Sequence, residues 1–276
     1  MRDSFIKKIV LPSGPVNNDN FVAMAILSKT DGSNLAYCKN DDQSRTFIAD
    51  VRRSYCDLTY YNKQFYAVDE KEAIVVCDVN GTSPSVSVVE PPTQDIFAIL
   101  YLINLGDDEL LLVARYLGPE FEYYEVDEPP EIYFMTDGFN VFRMNWSGPQ
   151  WEKVESLGDW MLFVGKNSEV SLIASDVRRC LRNPKYLNPG SFHGGFLEDC
   201  IYYSDDYRES DYDGAYGSDT GIYRLWDEKT FSLPCCAGTP YSLWVTPNVG
   251  SCRVSQVSSM LCLFVSTRRV ISMNVN

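Results

Sequence analysis

Apolar residues in this chain come in short runs that are cut, again and again, by Gly, Asn and Asp. Phe21 to Leu27 runs into Asp31-Gly32-Ser33-Asn34, and Leu35 to Cys38 follows. Leu58 to Tyr61 is interrupted at Asn62-Lys63-Gln64 and resumes as Phe65 to Val68. Ile74 to Val79 meets Asn80-Gly81 before Val86 to Val89, and Ile96 to Ile103 meets Gly106-Asp107-Asp108 before Leu110 to Tyr116. Runs of about 4–8 residues between turn residues are strand signals, because a strand needs few residues to cross a core. Few stretches carry helical spacing beyond a turn or two, and Ser175 to Leu181 is the best short helix candidate. The chain therefore reads as all-β.

Three segments repeat one arrangement of aromatic strand, polar turn and second apolar strand. They are Tyr60–Asp69 leading to Ile74–Asp78, Gly138–Met144 leading to Trp151–Val154, and Cys200–Asp205 leading to Gly221–Trp226. Repeated antiparallel hairpins at this spacing predict propeller blades of about 40–50 residues, and 276 residues would hold about six. A β-sandwich or irregular barrel remains the alternative architecture. Two stretches break the pattern. Tyr116 to Pro130 holds Gly118-Pro119, many acids and Pro129-Pro130, and reads as a long exposed loop. Asp205 to Thr220 reads as a loop between two strands. We take residues 1–276 as one domain.

Composition narrows the function. The formal net charge is −14, which argues against holding nucleic acid by neutralising phosphates. Arg52-Arg53, Arg178-Arg179 and Arg268-Arg269 are isolated pairs and read as solvated charges. No apolar run approaches the roughly 18 residues of a membrane span. Nine cysteines without a signal peptide imply reduced thiols and a cytoplasmic or nuclear setting.

Signs of catalysis are sparse. His193 is the only histidine. His193-Gly194-Gly195-Phe196 resembles an oxyanion loop, but the chain has no G-x-S-x-G elbow to go with it. Gly158 to Ser168 has the wrong glycine spacing for a phosphate loop, and its interior, Asp159 to Val164, reads as a strand. No C-x-x-C pair occurs, so the cysteines are expected to be small core residues. Glu209-x-Asp211-x-Asp213-Gly214 resembles the start of a calcium loop, yet Thr220 stands where the bidentate Glu belongs. A solvated acidic loop is the expectation there, and no cofactor or metal is expected.

Against that background, three stretches resemble a known family. They are Trp151 to Gly165, Asp199 to Asp206 followed by Gly221-Ile222-Tyr223, and Lys63 to Asp69. In this order they resemble the plant F-box-associated domain of unknown function, the KIB-type β-propeller, over about residues 5–247. The resemblance implies a protein-binding propeller, the substrate-recognition part of an F-box, cullin–RING ubiquitin ligase system. It implies no enzyme activity. Family members carry an N-terminal F-box that docks on a Skp-type adaptor. No F-box pattern precedes Phe5, so the propeller is expected to be incomplete at its N-terminus and not to bind the adaptor directly. Trp244 to Pro247 matches the family's usual close, and residues 248–276 form an extension in which Leu261–Val265 and Val270–Val275 are candidate closing strands. The rival readings are a propeller enzyme such as a glycosidase, and a degenerate relative with a structural role.

The expected partner is a protein. The candidate binding loop comprises Asp205, Asp206, Tyr207, Asp211, Tyr212, Asp213, Tyr216 and Asp219, with Arg208 its one basic residue. Its acids would speed association with a basic surface, and its tyrosines would add contact area.

Overall fold

In the computed structural model the described residues are 5–12, 22–29, 32–40, 42–48, 53–81, 83–90, 92, 98–106, 109–122, 131–148, 150–165, 169–181, 197–204 and 219–232. They form four sheets in two compact units, residues 1–154 and 155–276.

The first unit holds three antiparallel four-stranded sheets, each a meander of sequence neighbours. The first joins β1 (Phe5–Val10), β2 (Val22–Lys29), β3 (Gly32–Lys39) and β4 (Thr46–Phe47). The second joins β5 (Tyr55–Tyr61), β6 (Gln64–Asp69), β7 (Ile74–Asp78) and β8 (Ser85–Val89). The third joins β9 (Ala98–Leu105), β10 (Glu109–Glu122), β11 (Glu131–Asn145) and β12 (Gln150–Val154).

The second sheet shows why its runs are apolar almost without interruption. Side chains alternate across a strand. Phe65, Ala67, Val75 and Cys77 pack with Met24, Ile26 and Leu35 of the first sheet. Their neighbours Tyr66, Val68, Ile74 and Val76 pack with Leu100, Leu102, Leu110 and Leu112 of the third. Both faces are buried, so both parities are apolar. The β5–β6 turn places Asn62 and Lys63 at φ 42° and 64°, which suits the right-handed twist of a two-residue hairpin.

Asp57 ties the three sheets together. Its carboxylate accepts the backbone N–H of Leu58 at 2.7 Å and of Leu102 at 2.6 Å, and it pairs with the Lys8 ammonium. Asp69 shapes the β6–β7 turn by accepting the N–H of Lys71 and of Ala73, each at 2.9 Å, and holds Arg53 at 2.5 Å. Arg53 is therefore the partner of a buried carboxylate, where the sequence suggested a solvated charge.

The second unit holds one sheet, ordered β14 (Val170–Ile173), β13 (Trp160–Val164), β15 (Cys200–Tyr203), β16 (Gly221–Arg224) and β17 (Lys229–Ser232). Its neighbours are antiparallel except β13 and β15, which run parallel. A parallel pair needs a long crossover, and the segment between β14 and β15 supplies it, starting with helix α1 (Ala174–Leu181). The expected strand at Asp159–Val164 and the expected helix at Ser175–Leu181 are both present. Asp159 starts the helix, accepting the N–H of Ser175 at 3.1 Å. Arg178 makes surface ion pairs with Asp159 and Glu198 and stays solvated, as read from the sequence. The candidate closing strands at 261–265 and 270–275 lie outside the described residues.

One stretch overturns the sequence reading. The loop expected over Tyr116 to Pro130 is strand as far as Glu122, because β10 continues there and pairs with β11 back to Glu131; residues 123–130 lie outside the described residues. Pro119 falls opposite Phe134. Proline is tolerated where a strand lacks a partner on its far side, and among the described residues none pairs there.

Candidate protein-docking surface

Of the candidate loop, Asp205, Asp206, Tyr207, Asp211, Tyr212, Asp213 and Tyr216 lie outside the described residues, as does His193. What the structure describes is the pair of strands that flank the segment. β15 and β16 pair from Cys200↔Arg224 to Tyr203↔Gly221, so the strands on either side of residues 205–218 are adjacent and antiparallel. All four residues of β15 are buried. Tyr202 stacks on Phe163 with ring centroids 4.7 Å apart, and its hydroxyl accepts the N–H of Leu197. Burial raises that hydroxyl's pKa well above the usual phenol value, against the opposing pull of this bond.

Glycine is required at position 221. A Cβ there would lie 2.5 Å from the Tyr203 hydroxyl oxygen and 3.0 Å from the Phe231 carbonyl oxygen. Ser204 donates its N–H to the Val164 carbonyl at 3.1 Å. Asp219 is 6% exposed. It is buried just before β16, whereas the loop reading had counted it among exposed acids.

Asp199 braces β15 from its other end. At φ 58° it accepts the Leu157 N–H and the Ser156 hydroxyl on its carboxylate. Its own N–H reaches the Trp160 carbonyl, and its carbonyl accepts the Leu225 N–H. Asp57, Asp69 and Asp199 are thus acceptors for backbone donors, a structural use of buried carboxylates. No group of three or more His, Cys, Asp or Glu able to hold a metal occurs among the described residues.

The described thiols are free. Burial pushes Cys77 and Cys200 up to about 12 and Cys56 up to about 11. They stay protonated near neutrality, as inert packing groups do.

Two surface features escaped the sequence reading. One is Trp146, at the β11–β12 turn. It is 43% exposed, stacks on Tyr61 at 6.1 Å and packs T-shaped against Tyr66 at 5.5 Å. A tryptophan inside a turn, Asn145-Trp146-Ser147-Gly148, was the available signal.

The other is the far half of the β10–β11 hairpin. β9 pairs with β10 up to Tyr116, and β12 pairs with β11 only over Val141–Asn145. Beyond those points Leu117–Glu122 pairs with Glu131–Thr136. Residues directly opposite share a face. Pro119 and Phe134 therefore fall on one face, and Glu120, the next residue along β10, on the other. Pro119, Glu120 and Asp137 are exposed, and Phe134 is 49% exposed.

Blade-like meanders whose strand connections carry such surfaces define a class, the β-propeller. The chain belongs to the KIB1-4 beta-propeller family, whose sequence pattern matches residues 1–224. The all-β propeller fold expected from the sequence is thereby established. Among its relatives is F-box protein SKIP23 of Arabidopsis thaliana, 31% identical over 170 residues, 58% of this chain and 40% of that protein. Another is F-box protein At2g17036 of Arabidopsis thaliana, 28% identical over 190 residues, 64% of this chain and 42% of that protein. The chain spans about two-fifths of the length of these curated relatives. No solved structure matches it.

Proposed function

We propose that this propeller is a non-enzymatic protein-binding module that serves as the substrate-recognition part of an F-box ubiquitin ligase system. The observation that carries this reading is the family match over residues 1–224 together with relatives that are named F-box proteins. The chemistry supports it. The described buried carboxylates hold backbone donors, and the described buried thiols are kept protonated, as in a structural scaffold. Propellers present variable connections on a packed frame. Here the segment between the buried strand β15 and its neighbour β16 carries Tyr207, Tyr212 and Tyr216 among acids. In this reading the propeller grips the substrate, does not itself bind a Skp-type adaptor, and works in the cytosol or nucleus.

Affinity purification with mass spectrometry from the native tissue tests the reading. The expected result is a specific protein partner whose ubiquitination depends on this chain. Recovery of no partner, or glycoside turnover by the purified chain, overturns it. One-to-one binding of a purified Skp-type adaptor to this chain overturns the division of labour.

A further inference from the structure

We propose that Asn80 is a site of spontaneous deamidation, and that its conversion to aspartate or isoaspartate releases a latch between the β7–β8 turn and the β5–β6 turn.

The sequence supplies the chemistry. Asn80-Gly81 is the one Asn-Gly step in the chain, and both residues are exposed in the turn between β7 and β8. In the reaction the Gly81 backbone nitrogen, having given its proton to hydroxide, attacks the carbonyl carbon of the Asn80 side chain. The new C–N bond closes a succinimide ring. The Asn80 amide nitrogen takes up a proton from water and leaves as ammonia. Water then opens the ring at one carbonyl or the other. The product is aspartate, or isoaspartate with the main chain running through the former side chain. Nothing is oxidised or reduced. Glycine leaves the attacking nitrogen unshielded, because it carries no Cβ. Among the described residues no acceptor holds the Gly81 N–H.

The structure supplies the consequence. Asn80 Nδ2 donates to the Lys63 carbonyl in the β5–β6 turn at 3.1 Å, and to the Asp78 carboxylate at 3.0 Å. The Asn80 backbone N–H donates to the same Asp78 oxygen at 2.9 Å. Both acceptors of the side-chain amide need a donor, and an ionised carboxylate has none. Deamidation therefore removes both side-chain bonds and sets a second carboxylate against Asp78, with repulsion in place of attraction. Isoaspartate also lengthens the main chain before Gly81, whose carbonyl accepts the Lys39 ammonium of the first sheet at 3.2 Å. The change cannot reverse itself, so a latch opened in this way stays open.

The same bonds set the rate. The nitrogen that leaves is the one that makes both side-chain bonds, so they must break before it goes. The reaction draws on the fraction of molecules in which the turn has opened. Exposed hydrogen bonds hold weakly, and that fraction is small but not negligible.

The test keeps the full chain at neutral pH, native and in denaturant, and follows Asn80 by peptide mass spectrometry that separates aspartate from isoaspartate forms. Native Asn80 is expected to convert about tenfold more slowly than in denaturant. Asp78→Ala removes one acceptor, and should raise the native rate about threefold while leaving the denatured rate little changed. Gly81→Ala should suppress conversion in both states. It is compatible with the fold, because φ at this position is not left-handed and a Cβ would come no closer than 3.4 Å, to the Ser83 carbonyl oxygen. Asn80→Asp encodes one product, and should speed amide exchange at the strand ends Tyr61, Gln64, Asp78 and Ser85 about threefold or more.

Conversion in denaturant with none in the native protein would show that the latch never opens, and would overturn the proposal. Equal rates in the two states would show that the bonds do not hold the amide, with the same result. An unchanged rate in Gly81→Ala would remove the Gly81 nitrogen as the attacking group. Wild-type exchange at the strand ends of Asn80→Asp would show that the product leaves the two turns joined.

Discussion

Replacing Asp57 with Ala should damage the first unit more than any surface change. Asp57 is 3% exposed and accepts two buried backbone N–H groups, from Leu58 at 2.7 Å and Leu102 at 2.6 Å. The methyl group of Ala leaves both donors unpaired. Each orphaned buried donor costs about 1–3 kcal/mol. The Lys8 partner keeps 21% of its side chain exposed, so its ammonium can turn to water and adds little. The expected loss is about 3–4 kcal/mol, a large share of the roughly 5–15 kcal/mol that holds a domain together. Asp57→Asn keeps one acceptor oxygen but turns an amide NH₂ toward a donor, and should cost about half as much. Lys8→Met should cost about 1 kcal/mol or less. Denaturant unfolding measures the totals. Hydrogen exchange localises the effect, because the Leu102 amide should exchange much faster in Asp57→Ala while amides of the second unit do not change. A loss below about 1 kcal/mol, or a Leu102 amide that exchanges as before, would show that water or backbone movement satisfies these donors, and the account of Asp57 as the tie between β1, β5 and β9 would fail.

Lys63→Gly should stabilise the protein by about 0.5–1 kcal/mol, because Lys63 sits at φ 64° without the freedom glycine has there. The Asn80 side-chain bond to this position uses the backbone carbonyl and survives; thermal melting shows the gain. Cys77 and Cys200, raised to about 12 by burial, should resist iodoacetamide at pH 8 in the native protein and react once it is unfolded, as mass spectrometry would record. Asp227 is held down to about 2, chiefly by its hydrogen bonds from Arg224. Its folded pKa lies below the unfolded value of about 3.9. The stability it contributes is therefore present above pH 4 or so and is lost as pH falls through about 2. Carboxyl titration by NMR should show Asp227 returning toward about 4 in Arg224→Met.

The chain's local chemistry was enough to read many of its elements. Short apolar runs and Asn-Lys or Asn-Gly turns marked the β5–β6 and β7–β8 hairpins, and all three repeat segments proved to be adjacent antiparallel strands. The strand pair flanking the acidic segment was legible for the same reason. Cys200–Tyr203 and Gly221–Arg224 are apolar runs on either side of a polar insert, and turn residues act over a few neighbours.

Tertiary structure decided what depends on distant partners. Gly118-Pro119 reads locally as a breaker, but the cross-strand pairing of β10 with β11 carries the strand through it, and that pairing alone sorts Glu120 and Phe134 onto opposite faces. Arg53 looks solvated until the buried Asp69 is brought to it from 16 residues away. Asp57 and Asp219 look like two more surface acids in a chain that has 38. Burial separates them from the rest, because a carboxylate's role follows from whether donors or water surround it, and that environment is assembled by residues that no local pattern connects.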